Sequence, residues 1–590
     1  MRVRRSLVVG AVATTVAAAL SAGVAGPSAA ASSKGAKVNT LGVKVVRFAP
    51  GTTKARMLAA VQAAGGEVVT DLSKQNRLAV YAPAAGFDAA VRKEAGVAAV
   101  WGDRVIPIGY ADAAGAASTG GSPQLGSPGT NGIPDPWHDL DSFLDQNAPG
   151  VLQWDDDANG ARGAWPTTTG DRTVKVAVLD TGVTGSHKEL SANFDQQNST
   201  NTIPCNLLTR QFGSMGQKDC SNVDTEGHGT WVASRIAGAV NGFASNGIAP
   251  GVSVMGYKVL STTLGGGLTS WILDGMYRAC DADADLINMS LGGYNRLGVD
   301  DEDTLMWADA VDYCRSKGTA IIASAGNEHV RINRVNLTVG GRALSGVGQV
   351  SAGFDGIQSI VPGDTLANND LRSLIETPAG VPGVIMVSAA SNANGTPQPG
   401  SVDFLASKPT PGAKDQLTYY SNYGSRIDIS APGGARKLGL PRYDGGAQDV
   451  LYGGWGELGA LTANGEICQD PSLASFLTFS CFKVTGSAFG WLQGTSMSAP
   501  NATGVAALVL SAKHGVQENP DGLLSALQST ARTGMANQTG PNSSDTGPSA
   551  AGVACASGYC HVQFFPGGGN PITFSDAYGA GMVDAAAAVR

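Results

Sequence analysis

Four short blocks of this 590-residue chain carry side chains able to do covalent chemistry. Asp180-Thr181-Gly182 closes the apolar run Val174–Leu179, which puts a carboxylate where a strand ends. His228 stands between Gly227 and Gly229, which let the backbone approach closely and leave the imidazole unhindered. Ser496 lies in Gly494-Thr495-Ser496-Met497-Ser498-Ala499-Pro500, ahead of an apolar helical pattern through Leu510. Asn327 follows Ala325-Gly326 at the end of the strand-like run Ile321–Ser324. Singly, these residues read as a strand-end cap, a histidine beside a helix, an N-cap serine and a turn asparagine. Jointly they supply the parts of nucleophilic acyl chemistry. A hydroxyl needs an adjacent base, and histidine is the side chain poised near neutral pH. The base needs a carboxylate to fix its tautomer and steady its cation. The developing oxyanion needs preorganised donors, here the Asn327 amide and the Ser496 N–H.

Such groups need a rigid frame. From about Val174 onward, apolar strand-like runs (Val174–Leu179, Val252–Leu260, Leu286–Met289, Thr319–Ser324, Val384–Ala389) alternate with helical ones (His228–Ala239, Ser270–Ala279, Asp303–Ser316). Continuous apolar strands between helices predict a mostly parallel sheet covered on both faces, with chemistry at the strands' carboxyl ends. Ahead of it, Val43–Phe48, Thr53–Ala64, Val68–Leu72, Leu78–Tyr81, Phe87–Glu94 and Val97–Val105 read as β-α-β-β-α-β, the ferredoxin-like order. Residues 111–135 are rich in Gly, Ala, Ser and Pro, a linker composition. Arg2, Arg4 and Arg5 precede a small-apolar run to Ala25, then Pro27 and Ala29–Ala31. That is the order of a secretory signal peptide cut near Ala29 or Ala31, with a membrane anchor as the alternative.

Composition narrows the classes further. Only 15% of residues are charged and the net charge is −8, which disfavours a nucleic-acid binder and a long coiled coil. Eight cysteines in an exported chain can form disulfides, in any of about 105 pairings. Their grouping (205/220, 280/314, 468/481, 555/560) makes sequential pairing the economical choice, and zinc is the alternative although no CxxC is present.

The blocks VAVLDTGV (Val176–Val183), GHGTWVAS (Gly227–Ser234) and GTSMSAP (Gly494–Pro500) resemble the catalytic blocks of the subtilisin-like serine proteases, in that family's Asp…His…Ser order. SAGNE (Ser324–Glu328) resembles its oxyanion block, and GIAPG (Gly247–Gly251), INMSLGG (Ile287–Gly293) and SNYGSRIDISAPG (Ser421–Gly433) extend the likeness over roughly 150–590. The resemblance implies an α/β, three-layer subtilisin-like fold. It implies that Asp180 orients the base, His228 is base then acid, Ser496 is the nucleophile and Asn327 the oxyanion donor. It also implies peptide-binding edges at Gly265, Gly266 and Gly267 and at Ser290, Leu291, Gly292 and Gly293. Ala323, Ser324, Ala325 and Gly326 would wall a pocket with room for an apolar or aromatic side chain.

The expected organisation is therefore a signal peptide (1–31), an inhibitory propeptide (38–110), a linker cut between Gly109 and Asn131 (111–150) and a catalytic domain (151–590). The expected product is a secreted, monomeric endopeptidase acting on proteins or peptides, with its own propeptide as inhibitor and no nucleic-acid or membrane partner. A processing protease for one precursor, an acid-active sedolisin type and a catalytically silent scaffold are the alternatives. The segment Ala239–Asn246 is shorter than the family's calcium loop, so no cofactor is required and structural calcium is unsupported. Insertions at 328–381 and 433–492 emerge near the cleft, and Asn501 stands where many relatives carry histidine. Of the remaining histidines, His329 is a candidate for the pocket rim, and His138, His187, His514 and His561 have no visible partner motif.

Overall fold

β1 (Val43–Phe48) is the first element in a computed structural model that describes residues 41–108, 153–360, 374–392, 415–418, 420–434, 457–469, 481–484, 486–513, 519–533, 535, 554–556, 559–563 and 572–590. The signal-like segment, the linker, its cutting region, His138 and His514 lie outside the described residues. After β1 come α1 (Lys54–Ala63), capped by the Thr53 side chain, β2 (Glu67–Leu72), β3 (Arg77–Tyr81), α2 (Phe87–Val91) and β4 (Val97–Gly102). The sheet runs β2-β3-β1-β4 with every pair antiparallel. Val46, Phe48, Met57, Val61, Leu78, Val80, Phe87 and Val91 fill its core against the two helices.

One expectation fails here. Val97–Val105 is not a single strand, because the chain turns at Asp103, whose N–H reaches the Val43 carbonyl, and leaves the sheet. β5 (Val105–Pro107) instead joins the larger body, where an open strand edge offers it hydrogen bonds.

The larger body is built on β6 (Lys175–Asp180), β7 (Thr200–Asn201), β8 (Ser253–Lys258), β9 (Gly266–Leu268), β10 (Leu286–Met289), β11 (Gly293–Arg296), β12 (Ala320–Ser324), β13 (Val330–Val339), β14 (Arg342–Ile360), β15 (Leu374–Thr377), β16 (Val384–Asn392), β17 (Asp415–Leu417) and β18 (Ile429–Pro432). Its central sheet runs β17-β16-β12-β10-β6-β8-β7, with β18 also on β16, and is parallel except at β17. Alternation along β6 shows how both faces are buried. Ala177 and Leu179 pack with Leu273, Met276 and Val311 from helices 269–281 and 301–316. Val176 and Val178 pack with Trp231, Ile236, Val505 and Leu508 from helices 228–237 and 495–512. The architecture is the expected three-layer α/β sandwich.

Both insertions build added sheets. β13 and β14 form an antiparallel hairpin that continues through β15 to β11. From the second, β19 (Glu457–Leu461), β20 (Phe482–Val484) and β21 (Ser487–Leu492) form a small sheet over helix 228–237. There Trp231 Nε1 donates to the Gly490 carbonyl and Ala460 N–H to Ser234 Oγ. Cys205–Cys220, Cys280–Cys314 and Cys468–Cys481 are bonded in the sequential pattern, and Cys555 and Cys560 are backbone partners across a short hairpin. No described helix is long and apolar enough to cross a membrane.

The first described segment of this body is tied in by buried polar groups. Gln153 bonds the Asn246 main chain in both directions, and Asp155 and Asp156 grip the fully buried Arg235. Asn159 Nδ2 donates to Asn501 Oδ1 at 2.7 Å, and Asn501 Nδ2 donates to Glu457, so the unusual Asn501 serves as a bridge.

Candidate active site

β6 ends at Asp180, and helix 228–237 starts at His228 directly above it. Their closeness depends on Gly229, where a Cβ would lie 2.1 Å from the Gly182 carbonyl oxygen and 3.0 Å from Asp180 Cβ. The wholly buried pair is joined by His228 Nδ1 to Asp180 Oδ1 at 2.8 Å and to Oδ2 at 3.0 Å. With Nδ1–H donating there, the neutral ring carries its lone pair on Nε2. Asp180 is itself held by the Thr181 N–H at 2.7 Å. Burial opposes charge on His228, but Asp180 first, then Glu226 and Asp224, outweigh it and raise the imidazole to about 9.

The turn before the helix is fixed by Asp224. Its carboxylate accepts from Thr181 Oγ1, Glu226 N–H, Gly227 N–H, Thr230 N–H and Thr230 Oγ1. Thr181 Oγ1 in turn accepts the Gly229 N–H. Lys258 lies beneath, donating to the Thr181 carbonyl at 2.6 Å and paired with Asp219.

Ser496 occupies the first turn of helix 495–512, which packs on helix 228–237. A helix start suits this residue because its main-chain N–H groups have no intrahelical partner and favour a nearby anion. Its hydroxyl donates to the Ser290 carbonyl at 3.3 Å, while Ser290 Oγ donates to the Ser496 carbonyl at 2.7 Å. In this rotamer the hydroxyl is turned to the Ser290 carbonyl, and serine–histidine bonds of active sites are commonly loose before substrate binds.

Asn327 is oriented by one neighbour. Its Oδ1 accepts both the Thr495 N–H at 2.9 Å and Thr495 Oγ1 at 2.8 Å. Those two bonds decide which way the amide faces and leave Nδ2 as its donating end, beside the residue preceding Ser496.

The predicted substrate edges also converge. β5 pairs antiparallel with β9, Val105 opposite Leu268, Ile106 opposite Gly267 and Pro107 opposite Gly266, and Ile108 N–H reaches the Gly265 carbonyl at 3.1 Å. A Cβ on Gly266 would meet the Ile106 carbonyl oxygen at 2.3 Å, so the glycine permits the close strand. Ile106 Cδ1 lies 3.3 Å from the Cβ position of Gly293, which places 105–108 between the two edges. Leu291 is buried beside Ser290. The predicted wall is only partly so. Ala323 and Ala325 point into the core, where β12 is covered on both faces, Ser324 is buried, and Gly326 alone keeps appreciable exposure.

Behind the glycines stand groups that sequence reasoning missed. A Cβ on Gly292 would meet Glu376 Oε1 at 2.9 Å, and one on Gly326 would meet Asn422 Nδ2 at 2.3 Å and Glu328 Oε2 at 2.7 Å. Tyr294 Oη and Asn422 Nδ2 donate to that Glu328 oxygen at 2.6 and 3.1 Å. Burial raises the carboxyls of both Glu328 and Glu376. The place expected to be merely roomy is therefore backed by a polar cluster. Glu328, next to Asn327, was the one visible signal. His329 is not on a rim, being buried against Tyr423 with Nδ1 facing the Ser421 carbonyl, and burial pushes it down to about 4. His187 is likewise buried, against Phe489 and the Ala488 carbonyl. Near the short loop, Glu189 accepts the Ala244 and Ser245 N–H groups and Asn241 Nδ2, so its oxygens serve hydrogen bonds where a calcium cage would need them open.

Residues 171–551 match the Subtilase family (Peptidase_S8), and the chain belongs to that family. Subtilisin NAT of Bacillus subtilis subsp. natto is 26% identical over 358 residues, covering 61% of this chain and 60% of that protein. The epidermin leader peptide-processing serine protease EpiP of Staphylococcus epidermidis is 25% identical over 358 residues, covering 59% and 61%. The match thus spans about three fifths of the length of these curated relatives. The crystal structure of EpiP from Staphylococcus aureus shares the fold at a TM-score of 0.56 and 17% identity, covering 93% of this chain and 97% of that one. Fervidolysin from Fervidobacterium pennivorans does so at 0.53 and 18%, covering 93% and 60%.

Proposed function

We propose that the chain is a secreted serine endopeptidase made as a zymogen. His228 Nε2 takes the proton of Ser496 as Oγ attacks the substrate carbonyl. Asn327 Nδ2 and the Ser496 N–H receive the oxyanion, and Asp180 steadies the imidazolium. The tetrahedral adduct collapses as His228 returns the proton to the leaving amine, and water releases the acyl group by the same route reversed. The observation that carries this reading is the buried His228–Asp180 contact of 2.8 Å. Substrate adds as an extended strand between Gly265–Gly267 and Ser290–Gly293.

The N-terminal unit is read as the inhibitor, since β5 takes up the very edge a peptide would use. Cutting falls in 109–131, and the product is an extracellular monomer without need of metal, nucleic acid or membrane. Processing of one dedicated precursor is the second reading, favoured by the likeness to EpiP.

The test sets purified wild type against Ser496→Ala. An organophosphonate should label wild type at Ser496, whose N-terminus should fall within 109–131, while the variant stays unlabelled and uncut. An unlabelled wild type would overturn the reading. Because the imidazole must be neutral to act as base and is raised to about 9, activity should climb from neutral into alkaline pH, whereas an acid optimum would favour carboxylate-driven chemistry.

A further inference from the structure

Two residues before His228, Glu226 is only 2% exposed. Its Oε2 accepts the main-chain N–H of His228 at 2.6 Å, and its Oε1 is buried with no hydrogen-bond partner among the described residues. Helix capping alone accounts poorly for this carboxylate, because Asp224 already takes four donors from the turn and the helix start. The segment is also clamped from outside. Ile467 N–H reaches the Glu226 carbonyl at 3.0 Å and Glu466 N–H the Thr225 carbonyl at 3.2 Å, just ahead of the Cys468–Cys481 bridge. A half-satisfied carboxylate held this firmly in the interior calls for a cation. The charges around it are His228, Lys258, Glu466, Asp180 and Asp224, and Lys258 is engaged by Asp219, Thr181 and Thr225. The cation whose own main chain the Glu226 carboxylate holds is His228, as the imidazolium that appears during turnover.

We infer that Glu226 is a positioning residue of the proposed site, a second carboxylate that shares with Asp180 the stabilisation of protonated His228. The inference rests on the proposed role of His228. Burial lifts the Glu226 carboxyl to about 7, and its charge is among those that raise His228, so the two groups titrate together.

Glu226→Gln keeps an acceptor for the His228 N–H and removes the charge. The acid limb of kcat/KM should move to lower pH by about one unit, with kcat reduced and KM unchanged. The His228 ring proton, followed by NMR in full-length Ser496→Ala, should show the same downward shift when Glu226→Gln is added. An unchanged limb and ring titration, or lost activity without a shift, would reduce Glu226 to a helix cap and overturn the inference. Should Glu226→Gln not fold, the ring proton in Ser496→Ala alone decides. It should show two inflections, near 7 and near 9, and a single one refutes the coupling. The NMR arms do not need turnover, so an inactive wild type would sink the proposed function without settling this one.

Discussion

Asp103 makes the seating of the N-terminal unit sensitive to pH. It is 2% exposed where the two bodies meet. Its Oδ1 accepts the Ser270 N–H at the start of helix 269–281, and its Oδ2 has no hydrogen-bond partner among the described residues. Burial first, then the equally buried Asp303, raise its carboxyl from 3.8 to about 7. A group raised on docking takes up a proton as it docks. Docking is therefore strongest below the free value and is lost as pH rises through 7. A rise of about three units corresponds to about 4 kcal/mol, on the order of 10³ in the docking equilibrium, once Asp103 must ionise in place. Asp103→Asn keeps the acceptor and abolishes the titration. Hydrogen exchange in full-length Ser496→Ala, corrected for intrinsic rates, should show the amides of Ile106 and Ile108 losing protection between about pH 4 and 7 and levelling off above that. The Asn variant should stay flat. Equal slopes in the two proteins would refute the reasoning.

Two further substitutions test the site itself. Gly229→Ala puts a methyl 2.1 Å from the Gly182 carbonyl, so the backbone must give by about 1 Å; kcat/KM on a peptide anilide should fall on the order of 10²-fold, with a loss of about 1–3 kcal/mol in urea unfolding. Asn327→Leu should lower kcat by about 10²–10³, the scale known for a side-chain donor of this kind in subtilisin, with KM little changed in steady-state assays.

Much of this site was legible because glycines mark it. The surroundings of His228 and Ser496 read as chemistry since small residues on both sides let the backbone approach closely, and the strands beneath them are continuous apolar runs. Leu286–Met289 falls where the run predicts it, and β6 differs by a single residue at each end. The break between β4 and β5 was under-read, because Gly102-Asp103 interrupts the strand-like run and a distant edge at Gly266–Leu268 draws its end away. Glu226 and Glu376 were hidden for a different reason. A lone glutamate reads as surface, and only the fold buries Glu376 behind Gly292 from far along the chain. The pocket wall was over-read, since a small side chain at a strand end says nothing about which face it takes.

The anchoring of Gln153, Asp155, Asp156 and Asn159 bears on how sloppy processing is allowed to be. Every one of these contacts lies downstream of residues 109–131 and reaches deep into the larger body, to Asn246, Arg235 and Asn501. The cut proposed within 109–131 leaves every one of them in place. A chain matured as proposed can therefore start at any of several residues and keep the same anchoring.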